Sequence, residues 1–231
     1  MGLGTQAEIG VVVGIMGTFL KTLGEDLQYL GPGFLLTIRL TLTTFAIGAV
    51  LGLILAILRM KKRGVFFHVS GIIIDFLRGT PMLVQLLAIY FFVGMYIKTS
   101  PLTAAIVGMS VNLSAYISEA YRGVLESIHK GQWEAARSMG MSTIMALRRI
   151  ILPQALIILL PDLTNYLIMT LLGSSLASVV ALRELTLLGQ SLVARTFRVE
   201  IFFIVALLYF CVSFPMSRLA TWMEKKWKHV R

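Results

Sequence analysis

Polar side chains inside long apolar stretches are where this chain could do chemistry, because hydrocarbon solvates them poorly and they must face one another or a watery path. Those positions are Gln85, Asn112, Ser114, Asp162, Thr164, Asn165, Ser174, Ser175 and Ser178. Amides and a carboxylate so placed suit non-covalent handling of a polar solute. The hydroxyls more simply bond the preceding helical turn or a neighbouring helix. Nothing in the pattern suits covalent catalysis. His68, His129 and His229 do not pair by spacing with acidic residues, and there is no H-E-x-x-H, so no metal site is expected. Cys211 stands alone in an apolar stretch, which excludes a disulfide framework and reads as packing. No G-x-x-x-x-G-K-[ST] loop is present to cradle phosphates, so the chain itself is not expected to hydrolyse ATP.

A second constellation is mechanical. Within the connecting segment 124–152, the run Gln132-Trp133-Glu134-Ala135-Ala136-Arg137-Ser138-Met139 is rich in helix formers. Gly140 follows at a position suited to a left-handed C-terminal cap. Ser142 can then cap a second helix starting at Thr143. A short helix, a glycine turn and a second helix between two spans would act as a lever.

These residues need a scaffold, and composition names it. The 231 residues are 57% hydrophobic and only 14% charged, against roughly a quarter charged in soluble domains. Phe34–Leu58 is a nearly continuous apolar run, long enough to cross a ~30 Å hydrocarbon core as a helix. A segment in lipid must satisfy its own backbone, so the fold class is an all-α, polytopic membrane helical bundle. Five transmembrane helices are predicted, at about 34–58, 81–97, 102–123, 153–181 and 200–222. Pro81 and Pro101 open two of them, as proline does at a first turn, and Pro161 predicts a kink in the fourth. Val65–Leu77 is too short to span and reads as an interfacial elbow helix. Residues 1–33 read as an N-terminal peripheral segment with an interfacial helix over about 7–28, without the basic start or cleavage site of a signal peptide.

The net charge of +10 is distributed as a topology signal rather than as a nucleic-acid surface. With the N-terminus outside, the inner segments hold Arg59, Lys61, Lys62, Arg63 and Arg78, then Arg122, Lys130, Arg137, Arg148 and Arg149, then Arg218, Lys225, Lys226, Lys228 and Arg231. Only Lys21, Arg39, Lys98, Arg183, Arg195 and Arg198 fall elsewhere. That asymmetry predicts the N-terminus outside and the C-terminus cytoplasmic. The five spans agree with it, and the lever then lies in the cytoplasm. On the outer face, Arg183, Arg195 and Arg198 would suit an acidic solute or, more simply, the acidic lobes of a docking protein.

Glu134-Ala135-Ala136, Gly140, Ile150 and Leu152-Pro153, in that spacing, resemble the EAA signature of bacterial ABC importer permeases. Phe76-Leu77-Arg78-Gly79-Thr80-Pro81-Met82-Leu83-Val84-Gln85 is similar to the FRGTPLLVQ block of the polar amino acid permeases. The stretch from Ala115 to Gly123, with Ser127–Trp133, resembles two more of that group's blocks. The resemblance covers the chain from about Phe34 onward. It implies the type I ABC importer transmembrane fold, and a coupling helix that docks in a groove of a separate ATPase subunit. It implies a second permease subunit, alike or different, an extracytoplasmic solute-binding protein, an amino acid substrate and a place in the bacterial inner membrane. The chain would hold no cofactor, with ATP and Mg bound by the partner. It implies coupling roles for Gln132, Trp133, Glu134, Ala135, Ala136, Arg137, Gly140, Ile150, Leu152 and Pro153. Trp133 reads equally as a contact anchor or as an interfacial belt residue.

One departure matters. Relatives of that group usually carry a Lys-Asp or Lys-Glu pair just before a segment like Ser174–Val180, where this chain has Leu172-Gly173. A carboxylate that could hold an amino group is missing there. Either a partner subunit supplies the polar site, or selectivity rests with the binding protein. The competing classes are a membrane-embedded enzyme, which would need an acid–base pair or metal cluster, and a secondary transporter, which would usually show inverted repeats. Neither pattern is visible in the sequence.

Overall fold

A computed structural model describes the backbone of residues 3–60 and 64–227, with side chains from residue 22 onward except Met60. Lys61, Lys62, Arg63, Lys228, His229 and Arg231, used above for charge and metal arguments, lie outside the described residues. Every regular element among the described residues is a helix, with no strand among them. In chain order the helices are α1 (Leu3–Met60), α2 (Val65–Gly79), α3 (Met82–Tyr96), α4 (Pro101–Ser127), α5 (Lys130–Ser138), α6 (Thr143–Val180), α7 (Leu185–Thr196) and α8 (Ile201–Lys226).

Four of these are long and apolar enough to cross a membrane, namely α1 from Thr22, α4, α6 and α8. A fifth crossing results if α2 and α3, bent by 106° at Thr80-Pro81, count as one broken span. The bend has a local cause. Thr80 is extended (φ −119°, ψ 146°) because a residue before proline is pushed out of the helical region, and Pro81 then starts α3. The short apolar run Val65–Leu77 lies in a helix of its own, turned sharply from α3, with Phe66, Ile72 and Phe76 exposed.

α1 differs from the sequence reading. The segment expected to stand apart over 1–33 is helical from Leu3 and continuous with the span, straight through Gly31-Pro32-Gly33. Packing outweighs those local breakers: Leu30 is fully buried with Leu185, Leu188, Ile201 and Val205 from α7 and α8. Proline also does not end α6, which continues through Pro161.

α1 and α4 form the central pair. A Cβ on Gly52 would fall 2.9 Å from the Ser114 carbonyl oxygen, so only glycine lets these backbones approach so closely, the usual device where lipid gives no hydrophobic drive. Ser100 caps α4 by accepting from the Thr103 amide at 3.1 Å. One core joins Leu40 of α1 to Leu86, Met109, Ala177 and Val180. A second, at the end nearest α5, gathers Val124 and Ile128 of α4 with Ile151, Ala155 and Ile158 of α6. α8 turns Phe203, Leu207, Phe210 and Phe214 outward, an apolar face suited to lipid.

Candidate functional site

The lever forms as a compact unit. α5 is capped by His129, whose Nδ1 accepts from the Gly131 amide at 3.1 Å. Its other end closes with two crossed bonds, Gly140 N–H to the Arg137 carbonyl (2.9 Å) and Met141 N–H to the Ala136 carbonyl (3.1 Å). That pair is a Schellman motif, and it requires Gly140 at φ +74°. Ser142 then accepts from the Met145 amide at 3.3 Å and starts α6. A π-helical turn over Leu147–Ile151 precedes Pro153, and this wider turn makes room for a residue with no amide to donate.

The lever is held from beneath. Ala136 is fully buried, and Trp133 packs half-buried against the core shared by α4 and α6, together with Leu147 and Ile150. Trp133 therefore underpins α5 rather than projecting from it. Gln154 links α6 back to α5 through Gln132 Oε1 at 3.5 Å. Facing away are Gln132, Glu134, Ala135, Arg137 and the apolar Met139, followed by Ile144. Leu152 and Pro153 are also exposed, on the first turn after the π-helical segment.

A charged knot secures the same end of the bundle. Arg59 of α1, Arg78 of α2 and Arg122 of α4 converge on Glu119, Arg122 at 2.7 Å and Arg78 at 3.9 Å, and Arg122 also reaches Glu126 at 2.6 Å. Arg59 further stacks on Phe67 and Arg78 on Tyr116. One carboxylate thus ties the elbow helix to both central spans, and the Glu119–Arg122 pairing expected from spacing is formed.

The polar positions inside the spans are not gathered into one site. Gln85 Nε2 donates to the Leu77 carbonyl (2.8 Å), the Thr80 carbonyl (3.2 Å) and Thr80 Oγ1 (2.7 Å). Asn112 Nδ2 reaches the same Leu77 carbonyl and Gln85 Oε1, both at 3.2 Å. These two amides are thus engaged in satisfying the backbone freed at the α2–α3 bend. Ser114, Thr164, Ser174, Ser175 and Ser178 each donate to a carbonyl in the preceding turn. Asn165 is exposed on α6. Asp162 lines an open cavity of about 390 Å³ between α4 and α6, beside Gly123 and Ser127.

A further cavity, of about 200 Å³, lies between α3, α4 and α6 and is lined by Met82, Met109, Asn112, Tyr116, Tyr166 and Met169. Apart from Asn112, the sequence reading did not select these residues. Their spacing on α4 (109, 112, 116) and α6 (166, 169) puts them on one helical face, a signal that tyrosine and methionine in an apolar stretch readily hide. Glu184 was also missed. It is fully buried between α6 and α7 and accepts from the Thr186 and Leu187 amides and Tyr209 Oη, each at 2.9 Å. Burial raises its pKa, and those donors act against the rise. Arg198, read above as an outer-face charge available to a docking protein, is bound to Asp26 (2.9 Å) and Glu200 (2.9 Å).

The described helices make a membrane-type bundle with a braced helix–glycine turn–helix at one end. The comparisons identify which kind. Residues 48–229 match the family described as binding-protein-dependent transport system inner membrane component, and the chain belongs to that family. It is 35% identical over 207 residues to "Probable amino-acid ABC transporter permease protein YckA" of Bacillus subtilis (strain 168), covering 89% of this chain and 92% of that one. It is 36% identical over 200 residues to the glutamine transport system permease protein GlnP of Escherichia coli (strain K12), covering 85% and 91%. A crystal structure of an amino acid ABC transporter with histidines superposes with a TM-score of 0.83 at 33% identity, over 89% of this chain and 97% of that one. The chain is a multi-pass membrane permease of the ABC importer type, a transport subunit and not itself an enzyme. Permeases of this family hold no cofactor of their own, and membership implies ATPase and solute-binding partners.

Proposed function

We propose that this chain is the pathway-forming subunit of an ATP-driven importer of polar amino acids in a bacterial inner membrane, with its N-terminus outside and its C-terminus cytoplasmic. Two permease subunits enclose the path, and the separate ATPase subunits bind ATP and Mg and drive alternating access. The observation that carries this reading is α5 with its Gly140 turn. It is a rigid projection whose exposed Glu134, Arg137 and Met139 are free to meet a partner, while Ala136 and Trp133 are locked into the spans. Force applied there passes directly to α4 and α6, so the bundle's two states are biased by what binds the lever.

The amino acid substrate follows from the names of the relatives, among them the glutamine permease and an L-cystine permease of Bacillus subtilis. The wall this chain offers to the path is the methionine- and tyrosine-lined cavity between α3, α4 and α6, together with the Asp162 cavity. With Leu172-Gly173 in place of a charged pair, selection of the solute rests mainly with the binding protein.

The test is purification of the tagged chain in a mild detergent from cells that also express its ATPase subunit. Stoichiometric retention of the ATPase is expected. A permease that elutes alone, with its fold intact, would contradict the importer reading.

A further inference from the structure

At the opposite end of the bundle from α5, one residue is held in a conformation its side chain disfavours. Phe197 has φ +56° and ψ 20°, at the position after α7 where helices usually place glycine. Such a backbone is a genuine outlier for a bulky residue. The ring gains nothing inside the fold in return, since Phe197 is 88% exposed. The turn is nonetheless firmly fixed. Phe197 N–H donates to the Val193 carbonyl at 2.8 Å, and the next residue, Arg198, is clamped by Asp26 of α1 and by Glu200. A strained, rigid and exposed aromatic is the arrangement expected of a contact residue.

Its position says what it contacts. α1 runs unbroken from Asp26 to Arg59, about 50 Å at helical rise. The hydrocarbon core is only ~30 Å thick, so even a steeply tilted α1 with Arg59 at one boundary carries Asp26 past the other. Phe197 beside it stands clear of lipid tails, facing the water opposite the coupling helix. The family is binding-protein-dependent, and the exposed Arg195 stands on the last turn of α7, just before Phe197, while Arg198 is neutralised by its acids.

We propose that Phe197 is an anchor for the solute-binding protein, its ring entering an apolar recess whose acidic rim meets Arg195. The proposal rests on the importer reading and adds a residue to it. The experiment uses the full complex in nanodiscs, titrated with its loaded binding protein while ATP hydrolysis is followed. Phe197→Gly removes the ring and relieves the backbone, so the complex should purify with an unchanged or higher Tm, yet need about ten-fold more binding protein for half-maximal stimulation. Phe197→Tyr should titrate within two-fold of wild type (about 0.4 kcal/mol). A photo-crosslinking residue at 197 should capture the binding protein. A glycine variant that titrates like wild type, or crosslinks formed only to lipid or to a second permease, would overturn the proposal and leave the importer reading standing. A wild-type complex that no binding protein stimulates would overturn both.

Discussion

The amide of Met141 donates to the carbonyl of Ala136 across 3.1 Å, reaching back over a glycine at φ +74°. That bond helps set the angle between α5 and α6, the span that follows it. A Cβ at Gly140 would meet nothing within 4 Å, so a substitution there acts through backbone strain alone. Gly140→Val should cost about 1–2 kcal/mol in the left-handed conformation, enough to reopen the turn. Gly140→Asn should be milder, since asparagine tolerates this region. The expected result is a variant that inserts and purifies but loses most substrate-stimulated ATPase activity, with asparagine intermediate. Equal stimulation in all three proteins would contradict the role given to the turn.

Gln85 and Asn112 share the carbonyl of Leu77. Gln85→Leu leaves that buried acceptor and Thr80 short of donors, a loss of about 1–3 kcal/mol. Because the two amides belong to one network, the double variant with Asn112→Leu should cost less than the sum of the single ones. Thermal unfolding of the four proteins in detergent measures this. Additive losses would mean that the amides act separately, and a changed solute preference with unchanged stability would return them to the path.

Hydropathy, proline positions and capping residues are local or additive signals, which is why the apolar spans, the short helix α2 and the glycine turn after α5 were legible in sequence. Gly140 and Ser142 lie within a few residues of the groups they cap. What was hidden depends on distant pairing. Gly31-Pro32-Gly33 reads as a break, yet Leu30 packs on Leu185 and Leu188 and the helix continues. Arg198 reads as an outer-face cation available to a docking protein, yet its acid is 172 residues away in Asp26. Glu184 looks like a loop charge until Thr37 and Tyr209 close around it.

Glu184 gives a pH prediction. Burial raises its pKa above the ordinary 4.5, so between those two values the folded protein keeps a proton that the unfolded chain releases. The stabilising contribution is fully present below the ordinary value and is lost as pH rises through the raised one. Glu184→Gln removes that titration. Melting curves over the acid-to-neutral range should show wild-type Tm declining relative to the variant as pH rises. Parallel curves would contradict the assignment.

The central claim is that the exposed face of the coupling helix carries force from an ATPase. Glu134 tests it most directly, because its side chain is exposed and its replacement leaves Ala136, Trp133 and the Gly140 turn in place. The measurement is ATP hydrolysis by the complex in proteoliposomes, with and without substrate-loaded binding protein, for wild type and Glu134→Lys. The account predicts that wild type is stimulated and that the variant, inserted to the same level, is not. Full stimulation of Glu134→Lys would contradict it.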